Sequence, residues 1–196
     1  MYRSLSKCLG GKIFNSKRHT STSCRITHRS RLCDVFINHR GMDTKRNIAV
    51  LLYDRFVQLE LHPFLDYRSM KPGDELLVNI ETVIRECKVG VAIFSPNYCT
   101  SYFCLHELAL MTEYQKKIIP IFYDVNPSDL VVVDDGSYPA KELHRFRLAL
   151  EHAKGRVGLP FDPSNGDWSD LLKRASDSVV ESLMGLDAEE KKCQRQ

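Results

Sequence analysis

The stretch KVGVAIFSPNYCTSYFCLHELALM, Lys88 to Met111, decides the fold class. After its lysine, Val89 to Phe94 is continuously apolar, as a strand buried on both faces of a parallel sheet must be; a half-exposed strand would alternate. Ser95-Pro96-Asn97 then breaks the run, and an apolar helix follows. The chain around it repeats this strand-then-helix rhythm. Upstream lie a strand at Cys33 to Asn38, a helix from about Asp43 to Glu60 with Ile48, Leu51, Leu52, Phe56 and Leu59 at helical spacing, a short strand at His62 to Asp66, and a helix from about Asp74 to Cys87. Downstream lie a strand at Lys117 to Val125, a loop at Leu130 to Tyr138, a helix from about Ala140 to His152, a weak strand near Arg156 to Phe161, and a helix from about Asp167 to Leu183. Pro120 hints that the fourth strand is bulged or at an edge.

Five alternating units with no internal repeat predict an α/β, flavodoxin-like three-layer sandwich with a five-stranded parallel sheet of order 2-1-3-4-5. In such sheets ligands bind beyond the carboxyl ends of the strands, where the strand order reverses between strands one and three. Two loops are nominated on that ground, after Asn38 and after Ser95.

The first loop, HRGMDTKR, places Arg40 and Gly41 at a turn, Asp43 or Thr44 as the helix N-cap, and Lys45 and Arg46 in its first turn. Arginine beside free helix-end amides suits a phosphate; the plainer reading is a tight turn with solvated basic residues. The loop after the second strand, DYRSMKPGDE, brings Asp66, Arg68, Lys71 and Gly73 to the same edge, or is an ordinary surface turn. On the third helix Glu107 shares a stripe with Phe103, Leu110 and Tyr114, while His106 and Glu113 fall on the expected solvent face. A carboxylate beside an aromatic ring near a central strand end can be partly desolvated and can steady a developing cation; most helical glutamates are simply exposed.

Composition narrows the function. The 196 residues are 43% hydrophobic and 27% charged, suiting one globular domain. Eight of the 28 basic residues and none of the 25 acidic ones lie in residues 1 to 33, so the remainder carries a net −5. That is not the basic surface of a nucleic-acid binder. The division expected is a basic arm at 1–31, disordered or a transit peptide, a domain at 32–185 and a polar tail at 186–196. Seven cysteines without a CxxC pair read as reduced thiols, and no run reaches the roughly 20 apolar residues of a membrane span. The expected compartment is therefore the cytoplasm, with the nucleus also open, or a plastid or mitochondrion if the arm is a transit peptide. HExxH, GxSxG, Walker and EF-hand motifs are absent, and no residue is assigned to a metal. A phospho-receiver would need aspartates at the ends of strands one and three, where Asn38, His39 and Ser95 stand.

DVFINHRGMDTKR, FLDYRSMKPGDEL, VAIFSPNYCTSYFCLHEL and IIPIFYDVNPSDL together resemble the four signature blocks of plant TIR (Toll/interleukin-1 receptor-like) domains. The resemblance spans about Leu32 to Leu183 and is nearest to the TIR-only class. It implies cleavage of the nicotinamide–ribose bond of NAD+, or of NADP+, on self-association, giving ADP-ribose or its cyclic forms in plant immune signalling. No separate cofactor is implied; NAD+ is substrate, and the partners are further copies or other TIR domains. The family's catalytic glutamate falls on Glu107. Its nucleotide-binding positions fall on His39, Arg40, Gly41, Asp43, Thr44, Lys71 and Gly73, with Phe103 where the family usually has Trp. Val50 and Leu51 stand where many members carry a Ser-His pair used in assembly. The alternative implied by the same family is a non-enzymatic adaptor acting through TIR–TIR contacts.

Overall fold

The computed structural model describes residues 33–193 except 71, 72, 74 and 75, so the basic arm and Lys71 lie outside the described residues. Five parallel strands, β1 (Val35–His39), β2 (Pro63–Phe64), β3 (Val89–Phe94), β4 (Lys117–Tyr123) and β5 (Leu159–Phe161), form one sheet of order β2-β1-β3-β4-β5. This is the expected order. Every residue of β3 is buried, because β1 and β4 flank it and helices cover both faces.

The helices are α1 (Gly41–Thr44), α2 (Ile48–Gln58), α3 (Asp66–Ser69), α4 (Leu76–Glu86), α5 (Tyr102–Glu113), α6 (Ala140–Lys154) and α7 (Trp168–Cys193). Strand periodicity sorts them into two layers. Phe36, Ala92, Phe94 and Phe122 face one side and pack on Ile84 of α4, Leu105 and Leu108 of α5 and Phe146 of α6. Val35, Val91, Ile93 and Ile121 face the other and pack on Leu52 and Phe56 of α2 and Val179 and Leu183 of α7. α5 is apolar nearly all round because it is wedged between α4 and α6.

Several local expectations change. The helix expected over 43–60 is two, α1 and α2, separated by a turn at 45–47. Neither Asp43 nor Thr44 caps α2; Asn47 does, its side chain accepting from the Ile48 amide at 2.7 Å. The Thr44 hydroxyl is instead spent on the Arg40 carbonyl at 2.9 Å. The expected polar tail is helical through Cys193: Leu186 packs on the α7-side core, and Lys88 at the start of β3 pairs with Asp187 and Glu190. On the expected solvent face of α5, Glu113 is exposed but His106 is half-buried, because Arg145 of α6 reaches across, binding Glu113 at 2.5 and 2.9 Å and approaching His106 Nδ1 at 3.0 Å.

Pro120 lies in an interior strand, opposite Ala92 of β3 and one residue before the β5 ladder begins. Its carbonyl faces Gly158, just outside β5. The missing N–H therefore falls on the side where no ladder bond is due, and a proline is tolerated there.

Gly158 makes this approach feasible. A Cβ at that position would sit 2.8 Å from the Pro120 carbonyl oxygen and 2.5 Å from a Phe122 ring carbon. Gly158→Ala is expected to destabilise the domain by ~1–3 kcal/mol, read by urea unfolding; an unchanged midpoint would show that β5 is free to move away.

A candidate active site at the sheet switch point

At the carboxyl end of β1, beside its pairing with β3, a cavity of about 610 Å³ opens. β1 delivers His39, and the chain then turns into α1, whose start brings Arg40, Gly41 and Met42 to the wall; Lys45 and Arg46 follow. Asp66 enters from α3, Ile80 from α4, and Ser101, Phe103, Cys104 and Glu107 from α5. The wall is thus cationic along α1 and carries two carboxyl groups, with Phe36, Ile80 and Phe103 as apolar surface between them.

Glu107 is buried, 8% exposed, in the second turn of α5. Asn38 Nδ2 donates to its Oε2 at 2.8 Å. Burial drives its pKa up to about 8, partly opposed by the Asn38 hydrogen bond and reinforced by the negative charge of Asp66. Asn38 is held in turn by the Tyr98 hydroxyl, which donates to Oδ1, and it also donates to the Cys104 carbonyl at 3.2 Å. Tyr98 is completely buried on the short 3₁₀ turn between β3 and α5. Ser101 caps α5, accepting from the Cys104 amide at 3.4 Å.

The imidazole of His39 lies 3.9 Å from Asp66 Oδ1. Burial lowers its pKa, which the Asp66 charge counters and Lys45 assists, so the ring is neutral at physiological pH. Arg40 keeps its guanidinium in the cavity; its Nε is buried with no hydrogen-bond partner among the described residues, and its Nη2 touches only the Met42 sulfur at 3.5 Å. A guanidinium with spare donors at a cavity wall suits a planar or tetrahedral anion. The Cys104 thiol at the wall is pushed up to about 12 by burial and stays protonated.

Of the residues expected at the site, His39, Arg40, Gly41, Phe103 and Glu107 line the cavity. Asp43 and Thr44 do not. The Asp43 carboxylate points to the other side of the loop, accepting from Ser95 Oγ at 2.6 Å and from the Asn97 amide and side chain at 3.1 Å each. Burial raises its pKa, but those bonds and Arg40 outweigh it and hold it below the usual carboxylate range. Gly73 is exposed, away from the wall, at φ 99°, a left-handed conformation that explains the glycine without assigning it a ligand. Arg68 turns back onto α2, pairing with Asp54 and lying 5.1 Å over the Tyr53 ring. Asn38 and Tyr98 were not among the expected site residues. The available signal was Asn38 itself, an amide inside the strand run VFINH, where asparagine is disfavoured unless something binds it.

The family model described as TIR domain matches residues 33–147. A relative named probable 2' cyclic ADP-D-ribose synthase BdTIR, from Brachypodium distachyon, is 52% identical over 154 residues, 76% of this chain and 69% of that protein. TMV resistance protein N of Nicotiana glutinosa and disease resistance protein RUN1 of Vitis rotundifolia are 28% and 30% identical, and the matches cover 14% and 12% of their lengths. Among solved structures, the TIR domains of the activated Roq1 resistosome superpose with a TM-score of 0.64 at 26% identity, over 75% of this chain and 99% of theirs. The TIR domain of a Toll-related receptor from Hydra magnipapillata shares the fold at 18% identity, TM-score 0.51, over 76% of this chain and 98% of that one.

The buried carboxyl sets a stability cost with a definite pH dependence. Folded, Glu107 holds its proton up to about pH 8; unfolded, it releases it near 4.5. Stability therefore falls as pH rises through that window and is flat above it. Glu107→Gln, which keeps an oxygen for Asn38, should match wild type below about pH 4.5 and exceed it by ~5 kcal/mol above pH 8, measured by chemical unfolding across pH. Equal stability at high pH would mean the carboxylate is solvated after all.

Proposed function

The chain belongs to the TIR domain family, and on that premise we propose that it cleaves the N-glycosidic bond between nicotinamide and ribose of NAD+, with Glu107 as the catalytic residue. The observation that carries this reading is the buried, proton-holding Glu107 at the base of a cavity whose α1 wall is cationic. NAD+ has the complementary distribution of charge. Its pyrophosphate is anionic and suits Arg40, Lys45 and Arg46; its nicotinamide ring is cationic and suits the carboxyl. Gly41 leaves room for the dinucleotide backbone, His39 offers a neutral ring, and Phe103, 46% exposed, offers a face for a base or for nicotinamide.

The charge on nicotinamide has two effects. It makes departure of the neutral base easy without acid assistance, and its approach favours ionisation of Glu107, whose pKa in the free protein is about 8. As the C–N bond breaks, its electron pair leaves with nicotinamide and positive charge moves to the ribose C1′ and ring oxygen. An anionic carboxyl at that point, in a site with little water, stabilises the oxocarbenium-like state. Water then adds to C1′ and releases a proton, giving ADP-ribose, or a hydroxyl of the ADP-ribose itself adds, giving a cyclic product. The relationship to a protein named as a 2' cyclic ADP-D-ribose synthase supports the second course.

Self-association fits the rim of the site. Met42 is 85% exposed at the cavity mouth, and Tyr102 and Phe103 are exposed beside it. Large apolar side chains at a mouth of this kind are covered when a second copy docks, which also excludes water from the ribose. On the α2 face, where many members of the family carry a Ser-His pair, Leu51 is 40% exposed, so the polar assembly contact is absent there and the cavity rim is the face proposed for docking. We place the protein in plant defence signalling, acting in the cytoplasm.

Nicotinamide release from NAD+ should rise faster than linearly with protein concentration. Glu107→Gln should reduce it by about 100- to 1000-fold while retaining the fold. In wild type, kcat/KM should fall about tenfold per pH unit below about pH 8, because the free protein must lose the Glu107 proton before it can act. Undiminished turnover in Glu107→Gln would remove the catalytic assignment; no turnover by wild type at any concentration would leave the adaptor reading.

A further inference from the structure

We propose that Asn38 and Tyr98 form a positioning relay for Glu107, fixing which carboxyl oxygen faces the cavity and supplying the hydrogen bond that lets the buried group become an anion. The proposal deepens the reading of Glu107 as the group that steadies the reacting ribose and rests on it.

The geometry decides how the Asn38 amide is turned. Its Nδ2 lies 3.2 Å from the Cys104 carbonyl, which can only accept, and 2.8 Å from Glu107 Oε2, while its Oδ1 receives the Tyr98 hydroxyl. The reversed amide would set Oδ1 against the Cys104 carbonyl, two acceptors facing each other in a dry interior. Asn38 and Tyr98 are both at zero exposure, so no water can mediate an alternative. Asn38 therefore presents a donor, never an acceptor, to Glu107. With Oε2 taken, the edge of the carboxyl left to the cavity is Oε1.

No other group does this work. Among the described residues Asn38 is the only hydrogen-bond partner of the Glu107 carboxyl. Of the titratable and charged groups around it, Asp66 on α3 is a like charge that opposes ionisation; Tyr98 and Cys104 keep their protons, and His39 is neutral. Arg40, Lys45 and Arg46 line the same cavity from the α1 side without bonding the carboxyl. A donor aimed at an ionisable oxygen favours the charged form by an amount worth about one to two pH units. The relay also crosses elements: Tyr98 comes from the turn after β3, Asn38 from β1 and Glu107 from α5, so it sets the carboxyl relative to the sheet edge.

The test is an infrared pH titration of the protonated Glu107 carboxyl, identified as the band missing from Glu107→Gln, alongside nicotinamide-release kinetics. Asn38→Leu, close in size and without a donor, leaves Tyr98 able to donate to the Cys104 carbonyl 3.1 Å away. Its midpoint should move up by about one to two pH units, with kcat falling at least tenfold at neutral pH and KM within about twofold. Tyr98→Phe should move it in the same direction by less. Asn38→Ser takes the place of the leucine variant if that fails to fold, and Tyr98→Phe decides if neither asparagine variant folds. A midpoint unchanged from wild type in the deciding variant overturns the relay, even if turnover falls. A shifted midpoint in a protein that releases no nicotinamide would keep the relay and remove the NAD+ reading.

Discussion

A carboxyl group buried at the edge of a sheet is the constraint around which this domain is arranged. Moving an ionised carboxylate from water into a low-dielectric interior is unfavourable by several kcal/mol unless donors or cations compensate. Here compensation is deliberately small. One amide donates to Glu107, the charge that acts on it is the like-charged Asp66, and the cations line the cavity from the α1 side. The group is therefore kept as an acid in the free protein, and in the proposed reaction it ionises as the cationic nicotinamide approaches. A structural carboxylate would show the reverse pattern, held below its ordinary range by hydrogen-bond donors, as Asp43 is on the other side of the same loop. The contrast between two carboxyls so close along the switch point separates the one that holds the scaffold from the one that faces the cavity.

That placement requires three elements to agree. The continuous apolar run of β3 must sit in the middle of the sheet so that β1 can pair along it and bring Asn38 and His39 to the sheet edge. α5 must be apolar on nearly every face, since it is covered by α4 and α6 as well as by the sheet. Glu107 is then carried inward by the helix itself, because residues 103, 107 and 110 share one stripe and the neighbours at 104, 105 and 108 are locked in the core. An exposed helix could let the glutamate swing to solvent, and the site would lose both its shape and its acidity.

Much of this was legible in the sequence because periodicity is a strong signal where burial is two-sided. The strand order, the switch-point loops and the placement of Arg40, Phe103 and Glu107 followed from alternating apolar runs and from the rule for ligand sites in parallel sheets. Finer features depend on contacts between residues far apart in the chain. Nothing local says that Asn47, rather than Asp43, caps α2, because Asp43 is diverted by Ser95 and Asn97, more than fifty positions away. Likewise the polar composition after Leu183 reads as a tail until Lys88 is placed beside Asp187. Asn38 was visible as a misfit within a strand, but its partners Tyr98 and Glu107 appear only when β1 and α5 are folded together.

The diverted Asp43 explains why the two halves of the site stay in register. Its carboxylate accepts from Ser95 at the end of β3 and twice from Asn97, so the loop after β1 is tied to the loop that leads into α5. Arg40, three residues before it, adds its charge to that tie and keeps its guanidinium at the cavity wall. The first loop then carries the anion-binding groups and the second leads to the carboxyl. An ionised Asp43 with three charge-assisted hydrogen bonds is a firm clasp at the pH where Glu107 is still an acid. One carboxylate is thus ionised early to fix the geometry, and the other holds its proton at the cavity up to about pH 8; the domain separates these states by giving the first residue three donors and the second only one.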